Sequence, residues 1–85
     1  MAWARCELCG KMDYCDVHHV FGGTRRQIAD RLGATVTLCQ RCHDKVHEHP
    51  AQYAWLKDAA QRSAMERNGL TLDDWLSQMG KNWLQ

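Results

Sequence analysis

Apolar and polar positions change period several times along the chain, and the changes divide it into short elements. Residues 14–20 (YCDVHHV) are rich in β-formers and predict a strand. Its two-residue alternation sends Cys15, Val17 and His19 to one face and Asp16, His18 and Val20 to the other. Phe21-Gly22-Gly23 breaks that strand. Thr24 is placed to cap a short helix, residues 25–32, which Gly33 ends. Residues 35–38 (TVTL) predict a second strand leading into Cys39. Residues 42–48 are helical in composition and stop before His49-Pro50, because the residue preceding proline is pushed out of the α region. Residues 50–67 form the longest helical stretch, with Pro50 in its first turn and Asn68-Gly69 after its last. Within it Tyr53, Leu56, Ala60 and Ala64 recur at helical spacing and are expected to pack inward. Thr71-Leu-Asp-Asp74 reads as a capping box with Asp in place of the usual Glu, opening a helix over 72–79 that Gly80 closes. The apolar stripe of that helix is either Trp75 with Leu76, or Leu72 with Trp75 and Met79. No repeat or low-complexity segment is present.

Composition limits how these elements combine. Eighty-five residues and 9.8 kDa amount to one small domain, in which hydrophobic burial barely offsets conformational entropy. Phe21 is the only phenylalanine and aromatic residues make up 8%, so a large apolar core is not expected. Charged residues, at 25%, are ordinary for a globular protein rather than a disordered one. No apolar run approaches the ~18 residues of a membrane span, and residues 1–6 lack the apolar stretch of a secretory signal. These features argue against a membrane protein, a secreted precursor and a multidomain enzyme. The formal charge is only +1: seven Lys/Arg face six Asp/Glu up to Pro50, and four face four beyond it. Any binding to phosphate must therefore use local placement or a bound metal, not bulk charge.

The five cysteines change the picture through their spacing. Cys6-x-x-Cys9 and Cys39-x-x-Cys42 are two pairs, and Cys15 is the odd one. Two residues between thiolates let both sulfurs face one ion, and two such pairs complete a tetrahedral four-cysteine zinc site. The 29-residue spacer is longer than in a simple zinc ribbon, so an inserted element must sit between the knuckles. Disulfides fit poorly with an odd count, and a thioredoxin-type redox pair is the other reading. Structural zinc is the better expectation, because a chain this short needs a staple. Cys15, beside Asp13 and Asp16, reads as a small strand residue rather than a nucleophile.

The histidines carry the strongest functional signal. His43 and His47 stand four apart, so on a helix both imidazoles share a face. His18 and His19 end the first strand and point opposite ways, so one faces a metal while its neighbour faces something else. Three imidazoles on a divalent ion with open positions make a working metal site rather than a structural one. His43 as a zinc ligand and His47 as a solvated helix residue are the plainer readings. The four cysteines already fill the zinc site, and the joint spacing of the histidines speaks against the second. His49 is expected to be exposed and inert. Asp16 is a candidate to orient a histidine. Arg25 and Arg26, after Gly22-Gly23, either hold phosphates bidentately or form a solvated helix start. Trp55, Trp75 and Trp83 read as core rather than base-stacking platforms.

Cys-x-x-Cys, His-His at a strand end, Gly-Gly in the loop, and a second strand into Leu-Cys-x-x-Cys-His-x-x-x-His together resemble an HNH endonuclease, of the His-Me finger or ββα-metal nucleases, over residues 6–47. The resemblance implies an α+β fold: a zinc-stapled ββα-metal module over residues 1–49, then a helical C-terminal tail over 50–85, forming one domain overall. It implies that His18, His43 and His47 hold one divalent catalytic ion (Mg²⁺, Mn²⁺, Ni²⁺ or Zn²⁺) and that His19 is the general base. Cys6, Cys9, Cys39 and Cys42 would hold the structural Zn²⁺. Ala34 stands where the family's loop usually has an Asn, a brace rather than a ligand.

The chemistry is consistent with that likeness. Phosphodiester hydrolysis needs both a nucleophile and a counter-charge for the leaving oxygen. A histidine of ordinary pKa, ~6.5, accepts a proton at neutral pH. No carboxylate cluster suited to two magnesium ions is present, which favours one metal. The expected activity is DNA cleavage or nicking, with Arg25 and Arg26 on the substrate, in the cytoplasm of a bacterial or phage-infected cell. A homodimer through the helical tail would use its surplus tryptophan surface. Rival readings are a non-catalytic zinc-finger module that binds nucleic acid and a phage-type protein that binds a host factor.

Overall fold

A computed structural model of the chain describes residues 2–84; Met1 and Gln85, the outer ends of the two expected segments, lie outside the described residues. The elements are β1 (Ala2–Arg5), β2 (Met12–His18), α1 (Arg25–Leu32), β3 (Val36–Cys39), α2 (Gln40–Glu48), α3 (Leu56–Asn68) and α4 (Leu72–Met79). Together they make a small α+β fold around an antiparallel sheet of order β1-β2-β3.

Strand β1 has no counterpart in the sequence pattern, because Ala-Trp-Ala-Arg carries no alternation that marks a strand. It forms by pairing with β2, from Ala2 opposite Cys15 to Arg5 opposite Met12. Trp3 and Tyr14 meet edge-on across that pair, with ring centroids 5.1 Å apart. The connection between the two strands is the first cysteine knuckle. Its turn closes with Gly10 N–H on the Cys6 carbonyl and Cys6 N–H on the Lys11 carbonyl, both 2.9 Å. Gly10 has φ 78°, a left-handed conformation that glycine adopts without steric cost.

Strand β2 both starts and ends two residues earlier than residues 14–20 suggested. Its ladder with β3 runs out where His18 opposes Val36, so His19 and Val20 leave the sheet. Cys15 is buried opposite Cys39, whereas Val17, expected on the same face, is exposed. β3 is displaced one residue later than expected, to Val36–Cys39. α2 begins at Gln40, two residues early, since Cys39 is already an extended N-cap with φ −68° and ψ 162°.

Helix α1 occupies the expected residues, but Thr24 does not cap it. Thr24 is itself helical (φ −65°, ψ −23°), and its side chain makes no capping hydrogen bond. An N-cap needs extended dihedrals for its oxygen to reach back to the first turn. The long helix expected over 50–67 is also shorter. α3 starts at Leu56, and the preceding segment is a run of tight turns: Gln52 N–H to the His49 carbonyl, Ala54 to Ala51 and Leu56 to Tyr53. Three-residue turns and an α-helix draw on the same local composition, so the pattern did not separate them. Leu56, Ala60 and Ala64 are buried as expected, and Tyr53 packs partly against the core.

The C-terminal residues close over the module. Trp75 and Met79 are the buried pair of α4, while Leu72 is exposed. Phe21 lies 4.6 Å from the Trp83 ring and 5.9 Å from that of Trp75. Trp75 donates its indole N–H to the Lys81 carbonyl at 2.9 Å. Gln61 is fully buried; its amide nitrogen donates to Asn82 Oδ1 and its carbonyl accepts the Trp83 backbone N–H at 2.7 Å. Trp75 is thus fully buried within the chain, and Trp83 is partly buried against it. Trp55 is the exception to the expected core placement, at 48% exposed.

The capping box of α4 is complete: Asp74 N–H donates to Thr71 Oγ1, and Thr71 N–H donates to Asp74 Oδ2. These bonds hold the Asp74 carboxyl below its ordinary range. The stabilisation is therefore present above the usual carboxylate pKa and is lost as pH falls through the lowered one. Thr71→Ala should cost about 1 kcal/mol, read as a lower midpoint in urea unfolding with an unchanged slope.

Candidate metal and histidine centre

The two knuckles converge. Cys6 follows β1, Cys9 sits in the turn, Cys39 ends β3, and Cys42 lies in the first turn of α2. One sulfur from each lies within 4.8 Å of the others. Four sulfurs held tetrahedrally at ~2.3 Å from one ion stand ~3.8 Å apart; Cys9 Sγ and Cys39 Sγ are 3.9 Å apart. Soft thiolates in this geometry suit zinc. All five cysteines stand as free thiols in the structure. Cys15 stays outside the tetrad and directs its thiol to the carbonyls of Ala4 and Asp13 at 3.4 Å.

The electrostatics of the tetrad call for a cation. Burial pushes the Cys6 thiol up, yet backbone N–H groups of Cys9, Cys39 and Leu8 bring it down to about 6. Cys42 is driven far above the ordinary thiol range by burial and by hydrogen bonds with Cys39, Cys6 and Cys9. Burial and the neighbouring Cys6, Cys39, Asp13 and Cys9 also raise Cys15. Four adjacent thiols cannot all ionise without a positive ion to take up their charge.

Pinning Cys39 and Cys42 to the knuckle also aims α2. Cys42 and Val46, one turn apart, are buried in the core, and the adjacent stripe, His43 and His47, faces the end of β2. There His18 meets them, with ring centroids 5.0 Å from His43 and 5.5 Å from His47. One ring nitrogen from each of the three lies within 4.8 Å of the others. The Nε2 atoms of His43 and His47 are 3.0 Å apart. Two nitrogens at ~2.1 Å from one ion and at right angles stand ~3.0 Å apart. Burial, then the proximity of His43, His47 and His19, lowers the pKa of His18 and favours the neutral form a metal requires. His43 is not part of the cysteine tetrad; the two groups are separate.

His19 is not part of this triangle. Its Nδ1 lies 2.7 Å from Oδ1 of Asp30 on α1. Asp30 is a carboxylate that the sequence did not single out. Asp30 stands in a polar helix with no motif around it, so no local signal marked it.

His18, His19 and His47 open onto one cleft of about 270 Å³, whose remaining walls are Val20, Val46, Pro50, Tyr53, Ala54, Leu56 and Lys57. Tyr53 and Lys57 come from the helical tail, which the sequence reads as a cover for the module or a dimer contact. Neither Arg25 nor Arg26 lines the cleft. Arg25 donates Nε–H to the Met79 carbonyl at 2.9 Å and stacks 5.6 Å over the Trp83 ring, which ties α1 to the C-terminal residues. Arg26 is exposed in the first turn of α1. His49 is exposed, and its carbonyl accepts the Gln52 and Tyr53 N–H groups. Ala34 is fully buried, and the loop it occupies is held from α3, where Asn68 Nδ2 donates to the Leu32 carbonyl at 2.7 Å.

No helix of the described residues is long and apolar enough to cross a membrane. No family model, curated protein or solved structure matches the chain.

Proposed function

We propose that the chain is a metal-dependent endonuclease of the HNH, ββα-metal type that hydrolyses DNA phosphodiester bonds with one divalent ion. The observation that carries this reading is a cleft lined by His18, His19 and His47, in which His18 and His47 converge with His43 in one imidazole triangle and His19 is held by a carboxylate. Of Mg²⁺, Mn²⁺, Ni²⁺ and Zn²⁺, the all-imidazole donor set of His18, His43 and His47 suits Ni²⁺ or Zn²⁺ best. When bound, that ion supplies Lewis-acid stabilisation of the charge that develops on the leaving oxygen.

The residues of the chain do the rest. His19 accepts a proton from water at its free ring nitrogen, and the water oxygen forms the new bond to phosphorus. The bond from phosphorus to the 3′ oxygen breaks with its electron pair on that oxygen, which takes a proton from solvent. Lys57 supplies a positive charge at the cleft wall for a phosphate, and Tyr53 a ring edge for a sugar or base. The preferred substrate is double-stranded DNA.

A nicking assay on supercoiled plasmid with each of the four ions tests the reading, beside metal analysis of His43→Ala and His47→Ala. The expected result is wild-type nicking that needs added metal, with both variants losing the second ion and retaining one tight zinc per chain. Absence of nicking with every ion, together with retained DNA binding, would leave a nucleic-acid-binding zinc module instead.

A further inference from the structure

We propose that Asp30 is the positioning residue for His19, fixing the proton on Nδ1 so that Nε2 is the ring nitrogen presented to water. This rests on the nuclease reading of the cleft. An ionised carboxylate has no proton to donate, so at 2.7 Å from Asp30 Oδ1 the Nδ1 atom of a neutral His19 must carry the hydrogen. The lone pair is then on Nε2, and His19 lines the cleft while Asp30 does not.

The need for such a partner follows from the end of β2. His18 is still held by its ladder with Val36, but His19 lies beyond the last paired residue. An imidazole there turns freely and exchanges tautomers unless something outside the strand holds it. Asp30 is suited to that task because α1 is tied down along its length. Ala29 and Leu32 are buried, Arg25 bonds the Met79 carbonyl, and Asn68 of α3 bonds the Leu32 carbonyl. Two residues past His19, Phe21 is buried against Trp75 and Trp83. The C-terminal helices thus hold both members of the pair without touching it.

An exposed contact that only fastened α1 to the strand end would contribute little to stability, and its loss would leave the cleavage rate unchanged. The test therefore compares wild type, Asp30→Asn and Asp30→Ala by plasmid nicking with Mn²⁺ and by ¹⁵N correlation spectra of the His19 ring at about pH 8, where imidazole is neutral. Expected is a loss of cleavage rate of roughly 10²–10⁴-fold, with plasmid affinity, Mn²⁺ binding, zinc content and melting temperature close to wild type. His19 should be the Nδ1–H tautomer in wild type and a mixture, or the Nε2–H form, in the variants. Variants that cleave at the wild-type rate, or a His19 tautomer unaffected by either substitution, would overturn the role of Asp30 alone. A wild-type protein inactive with every ion would instead overturn the nuclease reading, and the positioning role with it.

Discussion

Cys39→Ser is expected to leave the chain largely unfolded. At the stability per residue usual for native domains, an 85-residue chain has roughly 4–13 kcal/mol in hand. Zinc binding to a four-ligand structural site is worth about 10–16 kcal/mol, so removing a ligand is expected to cost as much as that whole margin. Cys39 is the most sensitive ligand because it belongs to three things at once: the end of β3, the N-cap of α2 and the tetrad. Losing it frees α2, and with α2 go Val46 from the core and both of its histidines from the imidazole triangle. Far-UV circular dichroism, amide dispersion and zinc content read the outcome. Cys15→Ser is the matching control; its hydroxyl can donate to the same carbonyls, so zinc and fold should both survive. Cooperative melting of a fully chelated wild-type sample at an unchanged temperature would refute the structural role.

His19→Ala should retain both metals and DNA affinity and lose cleavage by roughly 10²–10⁴-fold, the usual worth of a positioned base. His18→Ala should behave differently, weakening the second ion along with cleavage, because His18 and not His19 stands in the imidazole triangle. The contrast between two adjacent residues separates base from ligand without relying on the size of either effect. Isothermal titration with Mn²⁺ and single-turnover cleavage supply the two readouts. Cleavage by His19→Ala at the wild-type rate with full metal occupancy would mean that His19 is no base.

Several features that place these residues were legible along the chain because they are local. Two Cys-x-x-Cys pairs announce a metal tetrad whatever lies between them, and the structure brings those four sulfurs together. The i, i+4 spacing of His43 and His47 puts them on one helical face by geometry alone. The capping box and the glycines that close α1 and α4 lie within a few residues of the backbone groups they satisfy, and each forms as read.

Other features depended on partners distant in the chain. β1 exists only because β2 is there to pair with it, and β2 ends opposite Val36, the first residue of β3, which moved His19 off the strand. Pro50 to Trp55 turns tightly instead of forming the start of α3, and so becomes a wall of the cleft. Arg25, read as either a phosphate contact or a solvated helix start, donates to the carbonyl of Met79, 54 residues further on. Asp30 meets His19 across eleven residues, and Asn68 braces the Leu32 loop across thirty-six. Metal-ligand spacing, the α4 capping box, the closing glycines and helical faces were settled by the order of residues, since each is a short-range steric or hydrogen-bonding preference. Which carboxylate meets which histidine, and which charge is exposed to the cleft, was decided by how helices and sheet pack, where hydrophobic burial chooses the arrangement and polar side chains pair with whatever it brings within reach.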